Sequence, residues 1–294
     1  MKKNIFWLVF WVILGVVVVM TPSVCAASLT ATELTTKIIQ TADANTSSRE
    51  SLVQWYYSVE DLYNRVKKIS ETHPQLARLE IVKTNLRKEI DTRKNALTKT
   101  TINTFYANNQ SYLSGTTGLS SLCKNNYQIA DDWSYAFDLP TPLVLATRDI
   151  ESSCGRYHPS NGDGIFQLVA KEYGSSDNFT MWNWIVMIYD YVALVQSKIA
   201  WYHTSNSLSK DTCSWKDTTT LGQTAPICLS YTLLDLDSLV KYGALYNGLS
   251  GWVIKWNIQP ANPNYVFGKF GSAYQSASKD WIIMRVLKVL QYKQ

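Results

Sequence analysis

Apolar side chains recur at helical spacing along much of the chain, and this periodicity constrains the fold more than any other feature. A heptad seam with alternating spacings of three and four residues comprises Leu52, Trp55, Val59, Leu62, Val66 and Ile69. Pro74 interrupts the seam, and a second series follows with Leu79, Leu86, Ile90 and Leu97. The short break predicts two helices that pack as an antiparallel hairpin. Thr32 to Ala42 predicts a shorter helix before them.

The second half of the chain has a different composition, because aromatic residues become frequent after Leu122. Eight of the eleven tryptophans lie there: Trp133, Trp182, Trp184, Trp201, Trp215, Trp252, Trp256 and Trp281. A helical apolar stripe is formed by Ile185, Ile188, Val192, Val195, Ile199 and Tyr202. No segment shows the alternation of a half-buried strand, so the sequence predicts a mainly α fold.

These patterns predict four segments. Residues 1–26 form an export signal, 27–107 a helical coiled-coil-like arm, 108–121 a linker rich in Asn, Ser, Gly and Thr, and 122–294 a second domain. The arm could dock an envelope protein partner, or it could be a helical spacer that packs against the second domain.

The N-terminus has the three parts of a secretory signal. Lys2 and Lys3 precede an apolar run from Ile5 to Met20, and small residues around Ala26 offer a cleavage site. The run is shorter than the roughly 20 residues of a spanning helix, which favours cleavage over a retained N-terminal anchor. We therefore expect an exported protein of the cell envelope, either periplasmic or extracellular.

The net charge limits the kinds of partner that the protein can bind. Removal of the signal lowers the net charge from +5 to +3, which suits an anionic wall polymer and is far from a nucleic-acid signature.

Four cysteines remain after removal of the signal, and three pairings are open in an exported chain. Cys213 and Cys228 flank a polar loop and form the natural local pair, which leaves Cys123 with Cys154. No pair has CxxC spacing and the three histidines are scattered, so we expect no metal site.

The stretch from Asp138 to Tyr173 carries the candidate chemistry. A helix begins after Pro140 and Pro142, since proline suits the first turn of a helix, and Glu151 falls near the end of that helix. The negative end of the helix dipole and the apolar neighbours both raise the pKa of such a carboxyl. A carboxyl that keeps its proton near neutral pH can act as a general acid.

Four short motifs follow one another in order from this point. They are Glu151-Ser152, Gly164-Ile165-Phe166-Gln167, Leu245-Tyr246-Asn247-Gly248 and Tyr265-Val266. In this order they resemble the soluble lytic transglycosylase family, which belongs with the goose-type lysozymes to the lysozyme-like superfamily. The resemblance extends from about Trp133 to the C-terminus. Ile-Phe replaces the family's Leu-Met, Leu245 replaces an alanine, and the glycine after Asn247 comes one residue early.

The resemblance implies a lysozyme-like catalytic domain and a role for each matched residue. Glu151 protonates the glycosidic oxygen and then acts as base, while Tyr265 helps to hold it. Gln167 and Asn247 contact the sugars, Tyr246 shapes the floor of the cleft, and Ser152, next to the acid, belongs to the same substrate-binding set. The implied substrate is the peptidoglycan glycan strand, cut between N-acetylmuramic acid and N-acetylglucosamine without a cofactor.

The alternative activities depend on whether a second acid takes part. In the family one carboxyl suffices and the product has a 1,6-anhydro end. Asp149 lies two residues before Glu151 and should point away from it. Asp163 could direct a water and make the enzyme a muramidase, although a turn-forming role suits it better. A non-catalytic wall-binding or assembly protein is the other alternative, and the presence of Glu151 disfavours it.

Because every motif follows Trp133, we expect deletion of Ser47 to Thr100 to leave cleavage of soluble glycan fragments measurable.

Overall fold

The part of the chain that the structure describes folds into α-helices. A computed structural model describes residues 29–110, 113, 118–152, 154, 181–209, 213, 226–246 and 282–293. Within these ranges it has ten helices and no β-strand. They are α1 (Ala31–Asp43), α2 (Ser48–Ile69), α3 (Leu76–Asn95), α4 (Thr100–Asn109), α5 (Ser121–Asn125), α6 (Tyr127–Ala136), α7 (Thr141–Ser152), α8 (Met181–Ser205), α9 (Leu236–Tyr246) and α10 (Ile282–Lys293). The predicted mainly α class is confirmed.

The three N-terminal helices α1, α2 and α3 pack against one another in pairs. Helix α1 starts with a capping box, in which the Glu33 N–H donates to the Thr30 hydroxyl at 3.2 Å and the Thr30 N–H donates to the Glu33 carboxylate at 2.7 Å. Helices α2 and α3 are the two helices that the apolar spacing predicts around Pro74.

The buried face of α2 is wider than a heptad seam. Leu52 and Val59 are buried, whereas Ile69 at the end of the seam is 82% exposed. Tyr57 is buried as well, and its ring stacks on Trp133 of α6 with centroids 5.9 Å apart. Helix α2 therefore packs on α1 and α3 and also on α6, where a two-helix coiled coil would have one contact face.

Buried charges join α3 to α6. Asp132 is fully buried and accepts hydrogen bonds from the Arg87 guanidinium at 2.6 and 2.9 Å and from the Tyr57 hydroxyl at 2.8 Å. Lys94 forms ion pairs with both Asp131 and Asp132. Each of these buried carboxylates has a positively charged partner on α3, as a buried charge requires. Apolar side chains of α1, α2 and α3 also belong to the same hydrophobic core as Trp133 of α6.

Helix α7 is buried along nearly its whole length. Every residue from 141 to 149 is buried, and a helix buried on all sides must have neighbours all around it. Helices α6 and α10 pack on α7, and α10 also contacts α4 and α9. The core thus positions the end of α7, where Glu151 lies.

Both predicted disulfides are present. Cys123 joins Cys154 and Cys213 joins Cys228, with Cα atoms 5.2 and 5.3 Å apart, in the normal range. These bonds are compatible with an exported protein. None of the helices that the structure describes has the length and apolarity needed to cross a membrane. The predicted signal, residues 1–26, lies outside the described residues.

Candidate active site

The start of α7 is fixed by proline and by a buried carboxylate. The N–H groups of Leu143 and Val144 donate to the Pro140 carbonyl at 3.0 and 3.2 Å, and the helix begins at Thr141, between the two prolines and slightly before the predicted start. The Thr141 hydroxyl donates to Asp131 of α6 at 2.7 Å. Since Asp131 also pairs with Lys94, a chain of polar contacts connects α3 to the first turn of α7.

Glu151 is the second-last residue of α7 and is partly buried. Burial raises the pKa of its carboxyl from 4.5 to about 7, because the charged form loses hydration there. A carboxyl whose pKa lies near neutral pH can give up its proton in one step and take a proton back in the next. A group poised in this way can serve as general acid and general base in turn.

Two other polar residues near the end of α7, Arg148 and Asp149, are held by contacts with groups other than Glu151. The Asp149 carboxylate forms an ion pair with Arg285 of α10. Arg148 is buried, and its guanidinium Nη2 donates to the Cys154 carbonyl at 3.0 Å. Burial lowers the pKa of Arg148 to about 9. The second carboxyl of the helix is therefore committed to α10.

The turn after Glu151 is covalently attached to α5. Cys123 of α5 is buried and bonded to Cys154, which lies three residues after Glu151. Ligand-type atoms of Cys123, Cys154 and Asp149 lie within 4.8 Å of one another. Metal binding by cysteine needs the thiolate, and the disulfide removes both thiolates. This cluster is a structural one.

A layer of hydroxyl groups lies one helical turn before Glu151, and the sequence patterns did not identify it. Its members are Thr147 of α7, Tyr191 of α8 and Tyr242 of α9, all buried. The Tyr191 and Tyr242 hydroxyls are 2.7 Å apart, and Thr147 Oγ1 lies 3.1 Å from Tyr191. The available signal was a tyrosine beside the apolar stripe of α8, since a buried tyrosine needs a partner for its hydroxyl.

Several predicted site residues cannot be compared with Glu151. Gln167, Asn247 and Tyr265, together with Asp163, lie outside the described residues. Ser152 is the last residue of α7 and Tyr246 the last residue of α9, and only their backbone is described. Their predicted roles in substrate binding and positioning stay predictions.

Comparison of the chain with protein-family models, with curated proteins and with solved structures finds no match.

Proposed function

We propose that the protein is an exported peptidoglycan lytic transglycosylase that uses Glu151 as its only catalytic carboxyl. The observation that carries the proposal is the partly buried Glu151 at the end of α7, with a pKa of about 7. The ordered motifs from Glu151 to Val266, which resemble those of lytic transglycosylases, support the same reading.

The reaction uses both protonation states of Glu151. The protonated carboxyl gives its proton to the glycosidic oxygen as the bond to C1 of N-acetylmuramic acid breaks, which releases N-acetylglucosamine with a free 4-hydroxyl. The sugar's acetamido group stabilises the positive charge at C1. The C6 hydroxyl then attacks C1 and returns its proton to the Glu151 carboxylate. No water is consumed, and the acid is regenerated.

The surroundings of Glu151 suit this cycle. A proton donor must stay aimed at one oxygen, and α7 is fixed by α6 and α10, by the ion pair of Asp149 with Arg285 and by the bond from Cys154 to Cys123. Asp149 is paired with Arg285 of α10, and the proposal therefore gives the second catalytic role to the substrate's own acetamido and C6 hydroxyl groups rather than to Asp149.

Release of soluble fragments from purified peptidoglycan tests the proposal. The wild-type protein should release them, and Glu151→Gln should lower the rate by about a hundredfold or more, since the amide cannot deliver a proton. Glu50→Gln is the matched control, because burial also raises the pKa of Glu50, which lies on α2. Equal rates for Glu151→Gln and Glu50→Gln, or no release by the wild type, would refute the proposal.

A further inference from the structure

The hydroxyl layer behind Glu151 connects three helices. Tyr191 and Tyr242 have 0% and 1% exposure and Thr147 has 2%, so water cannot complete their hydrogen bonds from outside. The distances are 2.7 Å between the tyrosine hydroxyls, 3.1 Å from Tyr191 to Thr147 and 3.4 Å from Tyr242 to Thr147. The three oxygens therefore form a compact triangle between α7, α8 and α9.

The direction of the hydrogen bonds follows from the proton on Thr147. Its hydroxyl lies 3.0 Å from the Leu143 carbonyl, which can only accept, so Thr147 donates there. Thr147 Oγ1 must then accept from a tyrosine, and Tyr191 is the nearer one. Tyr191 accepts in turn from Tyr242. The chain runs from Tyr242 through Tyr191 and Thr147 to the backbone of α7, and each hydroxyl donates once.

This chain lies next to the candidate acid. Thr147 precedes Glu151 by four residues, which places both on the same face of α7. Tyr191 is close enough that the charge of Glu151 acts on its phenol. Burial first, and the Glu151 charge in addition, raise the pKa of Tyr191 to about 12 against the opposing effect of its hydrogen bonds. Tyr191 thus remains a neutral donor throughout the range in which Glu151 titrates.

We propose that Tyr191 is a positioning residue, which through its hydrogen bonds to Thr147 and Tyr242 holds the last turn of α7, and with it the Glu151 carboxyl, against α8 and α9. Its catalytic consequence rests on the proposed function, whereas its effect on Glu151 does not. Without the Tyr191 hydroxyl, the hydrogen bond from Tyr191 to Thr147 is lost, and we expect the last turn of α7 to move enough for water to reach the Glu151 carboxyl. The hydration that burial removes would then be partly restored.

Carboxyl ¹³C NMR of the full chain with labelled glutamate tests this role without substrate, and Glu151→Gln identifies the Glu151 signal. In Tyr191→Phe the measured pKa of Glu151 should move from about 7 back toward 4.5. Thr147→Val breaks the same bond and should give the same shift, Thr147→Ser should restore the wild-type value, and the double variant Thr147→Val with Tyr191→Phe should equal either single one.

Tyr202→Phe is the matched control, since Tyr202 is a fully buried tyrosine of the same helix and lies outside the hydroxyl layer. It should leave the pKa of Glu151 at the wild-type value. Tyr242→Phe keeps the bond from Tyr191 to Thr147 and should shift that pKa less than Tyr191→Phe does.

Glycan cleavage gives a second readout. Tyr191→Phe should lower kcat by about tenfold, because a displaced proton donor is misaligned, with KM changed by less than about twofold. An unchanged Glu151 titration in a folded Tyr191→Phe, or equal shifts in Tyr191→Phe and Tyr202→Phe, would overturn the positioning role. Absence of cleavage by the wild type would instead refute the proposed function, and the NMR titration would still decide the role of Tyr191.

Discussion

Arg148 and Cys154 are joined by two hydrogen bonds, and Glu151 lies between these two residues in the sequence. The Cys154 N–H donates to the Arg148 carbonyl at 3.2 Å, and the Arg148 guanidinium donates to the Cys154 carbonyl at 3.0 Å. Cys154 has a φ of 61°, in the left-handed region that non-glycine residues rarely adopt. This conformation persists because Cys154 is held by Arg148 on one side and by the disulfide to Cys123 on the other.

The first prediction concerns the two disulfides. Replacing Cys123 and Cys154 together by serine should lower the free energy of unfolding by about 3.7 kcal/mol, and replacing Cys213 and Cys228 by about 3 kcal/mol, on the chain-entropy model. The difference arises because the two loops separate their cysteines by 31 and 15 residues. Denaturant unfolding of the two double variants measures both values.

The same pair of variants separates stability from positioning. The Cys123–Cys154 bond holds the turn after Glu151, because Cys154 lies in that turn. The loss of this bond, unlike the loss of Cys213–Cys228, should therefore slow glycan cleavage at a temperature where both variants are folded. Equal slowing in the two double variants would contradict a specific role of this bridge at the end of α7.

Local patterns predicted what depends on local sequence. Spacing placed a helix at Thr32 to Ala42, close to the observed Ala31–Asp43, and polarity of the intervening loop paired Cys213 with Cys228. The heptad spacing predicted a packed side chain at Ile69, but this residue is exposed. Helix α2 ends there, and a largely exposed connection follows.

Contacts between distant residues were out of reach of these patterns. Asp132 and Arg87 are hydrogen-bonded across a separation of 45 residues, and Tyr191 and Tyr242 across 51. Neither the periodicity nor the composition of the sequence indicates such a partner. The start of the helix that carries Glu151 could be predicted from the prolines, whereas the hydroxyl layer one turn before Glu151 could not.

The second prediction concerns Glu151 and pH. The folded pKa of about 7 exceeds the ordinary 4.5, so the folded protein keeps a proton that the unfolded chain releases. The stability that this group contributes is complete below about pH 4.5 and is lost as the pH rises through 7. Glu151→Gln should therefore be more stable than the wild type by about 3 kcal/mol at about pH 9 and equal to it at about pH 4.

Denaturant unfolding at several pH values measures this difference. Glu71→Gln replaces an exposed glutamate and serves as the control, which should follow the wild-type curve. A Glu151→Gln variant whose stability runs parallel to the wild type at every pH would mean that burial of Glu151 does not raise its pKa.

The third prediction concerns the buried ion pairs between α3 and α6. Asp132→Ala should lower the free energy of unfolding by about 3–5 kcal/mol, because it leaves the charge of Arg87 without its buried partner. Asp91 also pairs with Arg87 but is 48% exposed, so Asp91→Ala should lower it by less than about 1 kcal/mol. Thermal or denaturant unfolding distinguishes the two, and equal losses would contradict the role assigned to burial.

The fourth prediction reverses the expectation that the N-terminal arm is dispensable. Deletion of residues 47–100 removes Tyr57, Arg87 and Lys94, and so uncovers Trp133 and both buried carboxylates of α6. We expect the shortened chain not to fold, as judged by near-UV circular dichroism and rapid proteolysis. A folded, glycan-cleaving product would show that the domain from residue 122 is independent.

The fifth prediction concerns the cleavage product. Digestion of purified peptidoglycan should release fragments that end in 1,6-anhydro-N-acetylmuramic acid, each lighter by one water, about 18 Da, than the product of a muramidase. Hydrolysis normally uses a second carboxylate to direct water or to trap the sugar, and the neighbouring Asp149 is paired with Arg285. The C6 hydroxyl belongs to the reacting sugar, so its attack has the advantage of a high effective molarity. Mass spectrometry that finds mainly reducing ends would reject the transglycosylase, and loss of those ends in Asp163→Asn would identify the acid that directs water.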